Sequence, residues 1–134
     1  MKALSISPEY ACAIFCGEKT VECRTWSTNY RGDILICSTA KKIKGTIPGH
    51  ALCVATIKDV VPMEKKHLKA ACMRNAEYNP SSYAWILDNI RFIRPFAVKG
   101  KLSLWNCDHA VEIIEPGSPE DDEALGNLYE SLFV

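Results

Sequence analysis

Six short apolar runs, separated by glycine, proline or asparagine, set what this chain of 134 residues can fold into. Runs this short cannot cross a bilayer as helices, and their alternation and punctuation are those of strands. Residues 2–6 read as the first strand. Ser7-Pro8-Glu9 reads as a helix start, with Ser as N-cap, Pro at the first helical position and an acid in the first turn. That helix runs to about Cys16, and Gly17 is a natural residue to end it. Residues 20–26 alternate, with Val21 and Cys23 on one side and Glu22 and Arg24 on the other, a half-buried strand. Further strands are expected over 33–38, 51–61, 83–94 up to a bend at Pro95, and 109–114. A basic helix is expected over 63–75, and a last helix after the Ser118-Pro119-Glu120-Asp121 cap, with Leu125, Leu128, Tyr129 and Leu132 as its apolar stripe. Five or six short, mostly antiparallel strands with two or three short helices make an α+β fold, and favour a small closed or half-closed barrel. The length suits one core, with residues 1–114 as its body and residues 115–134 as an acidic helix docked on it.

The charges are unevenly placed. All sixteen Lys and Arg lie at or before Lys101, so residues 1–114 carry a net +6, whereas Glu115 onward holds six acids and no base. Such a chain is either a polyanion-binding body or a basic face with an acidic helix folded over it or left solvated. Lys41, Lys42 and Lys44 on a Gly/Pro loop, and Lys65, Lys66 and Lys69 on the basic helix, suit contacts to a nucleic-acid backbone. The start, Met-Lys-Ala-Leu-Ser-Ile-Ser-Pro-Glu, forms no apolar leader, so a cytoplasmic location without membrane contact is expected. Seven cysteines occur without a Cys-x-x-Cys pair, and they read as free thiols acting as small hydrophobes. Cys and His lack structural zinc spacing, so neither a metal nor a cofactor is expected.

Phosphate-binding and dinucleotide-binding glycine loops, the His-Glu-x-x-His pair and the Gly-x-Ser-x-Gly elbow are all missing. The dense polar cluster is Gly17-Glu18-Lys19-Thr20-Val21-Glu22-Cys23-Arg24-Thr25-Trp26, where a helix ends and a strand begins at once. By the two-residue strand period, Glu22, Arg24 and Trp26 share a face, with Lys19 at its mouth. That set suits a planar polar ligand: stacking on Trp26, anion or carbonyl contacts from Arg24 and Lys19, donor capture by Glu22. The plainer reading is a Glu22–Arg24 surface pair beside a partly buried Trp. Tyr30 is a second stacking candidate, while Trp85 and Trp105, with apolar neighbours, fit the core.

Residues 17–24, directly after a short helix, resemble the Gly-x-Lys-x-x-Glu-x-Arg signature of the ASCH domain family. Leu4-Ser5-Ile6, Asn29-Tyr30-Arg31-Gly32-Asp33, Tyr83–Arg91 and Lys99–Trp105 are similar, in order, to the family's opening strand, its Tyr-Arg-Gly turn, a later strand and its Gly-x-x-x-Leu-Trp segment. The resemblance covers about residues 3–113 and leaves the acidic helix outside. It implies a PUA-like β-barrel with a cleft lined by the signature, in a superfamily whose domains commonly bind RNA or modified bases. Some small members are amidohydrolases of acylated cytidine, using Lys-x-x-Thr with Lys as base and Thr as nucleophile, plus a Glu elsewhere. Lys19 matches that Lys, but the Thr position is Glu22, and a carboxylate does not replace a hydroxyl nucleophile. Glu22 would instead activate water while Lys19 or Arg24 polarises a carbonyl, and Glu77 is a further carboxylate to place.

Three functions follow as expectations. The first is RNA or modified-nucleotide binding through Lys19, Glu22, Arg24, Trp26 and Tyr30. The second is hydrolysis of an acylated nucleoside or of RNA, with Lys19 and Glu22 as the catalytic pair. The third is docking of a protein partner on the acidic C-terminal helix.

Overall fold

The computed structural model describes all 134 residues. Its elements are β1 (Lys2–Ile6), α1 (Pro8–Phe15), β2 (Val21–Arg24), β3 (Gly32–Ser38), β4 (His50–Pro62), β5 (Tyr83–Ala97), β6 (Leu104–Asn106) and α2 (Pro119–Glu130). The strands form one six-stranded sheet in the order β2-β5-β4-β3-β1-β6, curled into a half-barrel. Only the β1–β3 pair is parallel. The α+β half-barrel of mostly antiparallel strands is thus the fold the apolar runs predict. No helix is long and apolar enough to cross a membrane.

Strand alternation sorts the apolar residues onto two faces. Leu4, Ile6, Ile34, Ile36, Leu52, Ile57, Trp85 and Leu87 pack on one, with Ala11 and Ile14 of α1 and Leu125 and Tyr129 of α2. Ala3, Leu35, Cys37, Ala51, Val54 and Trp105 pack on the other. Cys37, Cys53 and Cys107 are buried and all seven cysteines are free thiols. Burial pushes the Cys37 thiol up to about 12, so it stays neutral.

Local signals set the ends of both helices, with one difference. Ser118 caps α2 by accepting from the Asp121 N–H at 3.1 Å. Ser7 occupies the N-cap position of α1 without capping it, and its hydroxyl donates to Glu9 Oε1 at 3.2 Å instead. Gly17 ends α1 at φ +79°, where a side chain is strained. The apolar stripe of α2 is spent within the fold. Phe15 and Tyr129 have ring centroids 4.5 Å apart, and the Tyr129 hydroxyl reaches the carbonyl oxygens of Leu52 (2.8 Å) and Ile93 (2.7 Å). Leu52 lies in a β4–β5 register shift, so the phenol supplies a donor that the ladder lacks there.

Four expectations are corrected. Residues 63–75 are no helix. A 3₁₀ turn at Lys65–His67 gives way to turns with Cys72 at φ +57°, and a second 3₁₀ turn follows at Asn75–Glu77. The reason is that the Ala70 carbonyl accepts from the Thr20 and Val21 N–H groups and the Ala71 carbonyl from Lys19, which diverts them from a helix. Strand 20–26 stops at Arg24, and residues 25 and 26 bend away. β5 continues through Pro95 to Ala97, because the register skips there from Cys53↔Phe92 to Ala51↔Phe96 and needs no proline N–H. Residues 109–114 make only an isolated bridge, Ile93↔Ile113, held by the Arg94 N–H to the Glu112 carbonyl and the Ile114 N–H to the Phe92 carbonyl on the edge of β5 beyond β2.

One ion pair ties β3 to β5 across β4. Arg91 grips Asp33 with two hydrogen bonds, 2.9 and 2.6 Å, and Thr56 donates to the same carboxylate at 2.8 Å. The Arg91 guanidinium, with help from Thr56, holds Asp33 down at about 2. The unfolded value is about 4, so the pair stabilises the fold above that pH and its contribution is lost as pH falls from about 4 to about 2. Because the Asp33 side chain is 48 % exposed, water screens it to no more than about 1 kcal/mol. Urea midpoints for wild type and Asp33→Asn should converge over that window. Parallel pH profiles for the two proteins would mean that the pair does not form in solution.

Candidate functional site

β2 is an edge strand, four residues long, paired only to β5. Its register sets Glu22 opposite Trp85 and Arg24 opposite Tyr83, and residues directly opposite share a face. Val21 therefore faces the other way, against Met63, Leu68 and Ala71. The polar side of the strand is the side that carries Trp85 and points toward α1. The alternation of residues 20–26 is as expected, but the charged face is the inner one.

Lys19 is only 2 % exposed and Glu22 only 5 %. The Lys19 ammonium donates to the Ala71 carbonyl at 2.6 Å, lies 3.4 Å from Glu22 Oε1 and sits 4.8 Å from the centroid of the Tyr10 ring. Arg24 Nε donates to Glu22 Oε2 at 3.1 Å, and Arg24 Nη2 donates to the Ser5 carbonyl at 3.0 Å. Both carboxylate oxygens of Glu22 are thereby engaged, which is what a buried carboxylate requires. The Arg24 side chain is 25 % exposed and its Nη1 has no protein partner.

These groups line a cleft of about 330 Å³ together with Tyr10, Met73 and Glu77. Its size is at the small end of small-molecule sites, roughly 300–1,000 Å³. It holds two cations, Lys19 and Arg24, against two carboxylates, Glu22 and Glu77. Glu77 Oε1 accepts from the Arg74 N–H at 2.9 Å and from Arg74 Nε at 3.1 Å, and these bonds hold its carboxyl below the usual range. Glu77 Oε2 has no protein partner, and neither does the Tyr10 hydroxyl. Burial, assisted by Glu77, pushes the Tyr10 phenol up, so it stays a neutral donor.

The structure thus brings together Lys19, Glu22 and Arg24 of the sequence-predicted residues. Trp26 does not join them: it sits edge-on to Trp85, centroids 4.8 Å apart, and its carbonyl accepts from Trp85 Nε1. Tyr30 donates to the Asp33 carbonyl at 2.7 Å and packs beside the core. Lys41, Lys42 and Lys44 are exposed on the β3–β4 loop, and Lys65, Lys66 and Lys69 on the turns after β4. None of the six lines the cleft, and Lys66 pairs with Glu64 at 3.2 Å. No residue of α2 lines it either, so the acidic helix leaves it open. Sequence reasoning missed Tyr10, which lies on α1 outside the polar cluster of residues 17–26, and the Ala71 carbonyl, which leaves no trace in a side-chain pattern. Glu77 was visible only as a carboxylate without an address.

The family model described as "ASCH domain" matches residues 4–97. Comparison with curated proteins gives no match. Among solved structures, the chain is similar to the crystal structure of ASCH from Zymomonas mobilis, at TM-score 0.63 and 19 % identity over 99 % of this chain and 95 % of that one. Two single-substitution forms of that protein give TM-scores of 0.65 and 0.60 at 19 % and 21 % identity, covering 95 % of this chain and 94 % and 96 % of theirs. At these identities the likeness is one of fold.

Proposed function

Because this chain belongs to the ASCH domain family, we propose that it binds RNA or a modified nucleotide, with the base in the cleft of Lys19, Glu22, Arg24 and Glu77. The observation that carries this reading is the charge balance of that cleft. Two cations and two carboxylates around a small space, with Lys19 and Glu22 nine-tenths buried, suit a neutral ring rich in donors and acceptors. The free Glu77 Oε2 offers an acceptor, and Arg24 Nη1 and the Tyr10 hydroxyl offer donors, in the manner of contacts to the edges of an unstacked base.

Hydrolysis is the second reading, favoured by the presence of Glu77 in the same cleft as Lys19 and Glu22. Each Glu22 oxygen already faces a cation, whereas Glu77 Oε2 has no protein partner, so Glu77 would be the base. A general base works best with a pKa near the working pH, and Arg74 draws Glu77 the other way. Binding without turnover therefore fits this cleft better.

Fluorescence anisotropy of a labelled short single-stranded RNA tests the proposal. Arg24→Ala removes charge-assisted hydrogen bonds worth about 1.5–3 kcal/mol, so affinity should fall about 10- to 100-fold. An unchanged affinity in a folded Arg24→Ala protein would place RNA elsewhere. Release of free acid from acylated nucleosides, lost in Glu77→Gln, would establish the second reading instead.

A further inference from the structure

A second cleft, of about 610 Å³, opens on the other side of Arg24. Arg24 is the one residue that lines both cavities. The second is walled by Ser5 at the end of β1, by Thr39 after β3, and by the loop that carries Lys99, Lys101 and Ser103. No carboxylate lines it. Lys99 and Lys101 make no ion pair with any carboxylate of the protein. The loop is held close: a Cβ on Gly100 would meet Ser5 Oγ at 2.5 Å, so only glycine lets the backbone lie against β1. Ser103 takes φ +59°, an uncommon conformation for a residue with a side chain.

The two cavities differ in charge in a way that orients a ligand. The Lys19 side is balanced, whereas the Lys99 side offers three cations and three hydroxyls with no acid among them. Arg24 bridges the two, bound to Glu22 on one side and to the Ser5 carbonyl on the other. We propose that the Arg24–Lys99–Lys101 cleft is a phosphate subsite, so that the ligand is a nucleotide or an RNA phosphate rather than a free nucleoside. This rests on the base-binding reading above and adds the class of ligand. A phosphate on the other side would meet Glu22 and Glu77, whereas here it replaces water on Lys99 and Lys101, which have no anion to neutralise them, beside the free Nη1 of Arg24.

Competition against labelled single-stranded RNA tests the subsite. The four ribonucleoside 5′-monophosphates, as an equimolar mixture, should displace the RNA at a concentration at least tenfold below that of the four nucleosides. In Lys99→Ala/Lys101→Ala that advantage should disappear. The slope of log affinity against log salt should fall by about 1.4 in the same variant, from two lost phosphate contacts on a single strand. Both lysines are exposed, so the fold should survive, and circular dichroism checks it. Nucleosides competing as well as monophosphates, or a variant with an unchanged slope, would overturn the subsite and leave the base cleft standing. Inorganic phosphate competing as well as the monophosphates would reduce it to an anion site unconnected with the base. Wild-type protein that binds neither RNA nor nucleotides would overturn both readings together.

Discussion

Glu22→Leu is expected to destabilise the protein by about 3–5 kcal/mol, because it strands a buried ammonium. Lys19 is 2 % exposed, and its partners are the Ala71 carbonyl, Glu22 and the face of Tyr10. With Glu22 gone, one neutral acceptor and a ring quadrupole are left to hold a full charge away from water. A domain of this size has a total stability of about 5–15 kcal/mol, so a large share is at stake. The urea midpoint should fall by on the order of 2 M. The double variant Lys19→Met/Glu22→Leu should be more stable than Glu22→Leu alone, since no buried charge is left behind, while Arg24 relaxes toward solvent. RNA binding should be lost in both. A Glu22→Leu protein within about 1 kcal/mol of wild type would show that water reaches Lys19 and that the cleft is wetter than its burial implies. The contrast matters for interpreting cleft variants: lost binding in Glu22→Leu mixes two effects, whereas Arg24, a quarter exposed, reports on the ligand more cleanly.

What was legible in the sequence was what local chemistry decides. Pro8 and Gly17 delimit α1, Ser118 caps α2, and the apolar runs, except 109–114, become strands. Residues 63–75 misled because their composition suits a helix, while the decisive event is non-local: Lys19, Thr20 and Val21, at the entry to β2, take the carbonyls of Ala70 and Ala71. The cleft was half legible. The spacing of Lys19, Glu22 and Arg24 groups them on any strand that follows a helix closely. Alternation has two faces, however, and does not say which one is inside. Only the pairing of Glu22 with Trp85 turns the charged face inward. Trp26 was expected beside them by continuing the strand two residues too far, and its carbonyl is in fact the acceptor for Trp85.

Trp85→Ala is the other large effect, and it connects the core to the cleft. Trp85 is the largest fully buried side chain of the fold. It lies opposite Glu22, packs edge-on against Trp26 and donates from Nε1 to the Trp26 carbonyl at 3.3 Å. Truncation opens a cavity beneath β2 and leaves that carbonyl without its donor, at a cost of about 3–5 kcal/mol. For a chain of this length the melting temperature should drop by about 10–20 °C. Trp85→Phe keeps an aromatic ring but loses the N–H, and should cost about 1–2 kcal/mol. Because β2 is a four-residue edge strand, it has little else on that side to hold it. RNA affinity should therefore fall in Trp85→Ala even well below its melting temperature, while Trp85→Phe retains most of it. A Trp85→Ala protein that melts within about 3 °C of wild type would mean that β2 is anchored by the Ala70 and Ala71 carbonyls rather than by the indole, and the base cleft would then owe its shape to residues 63–75.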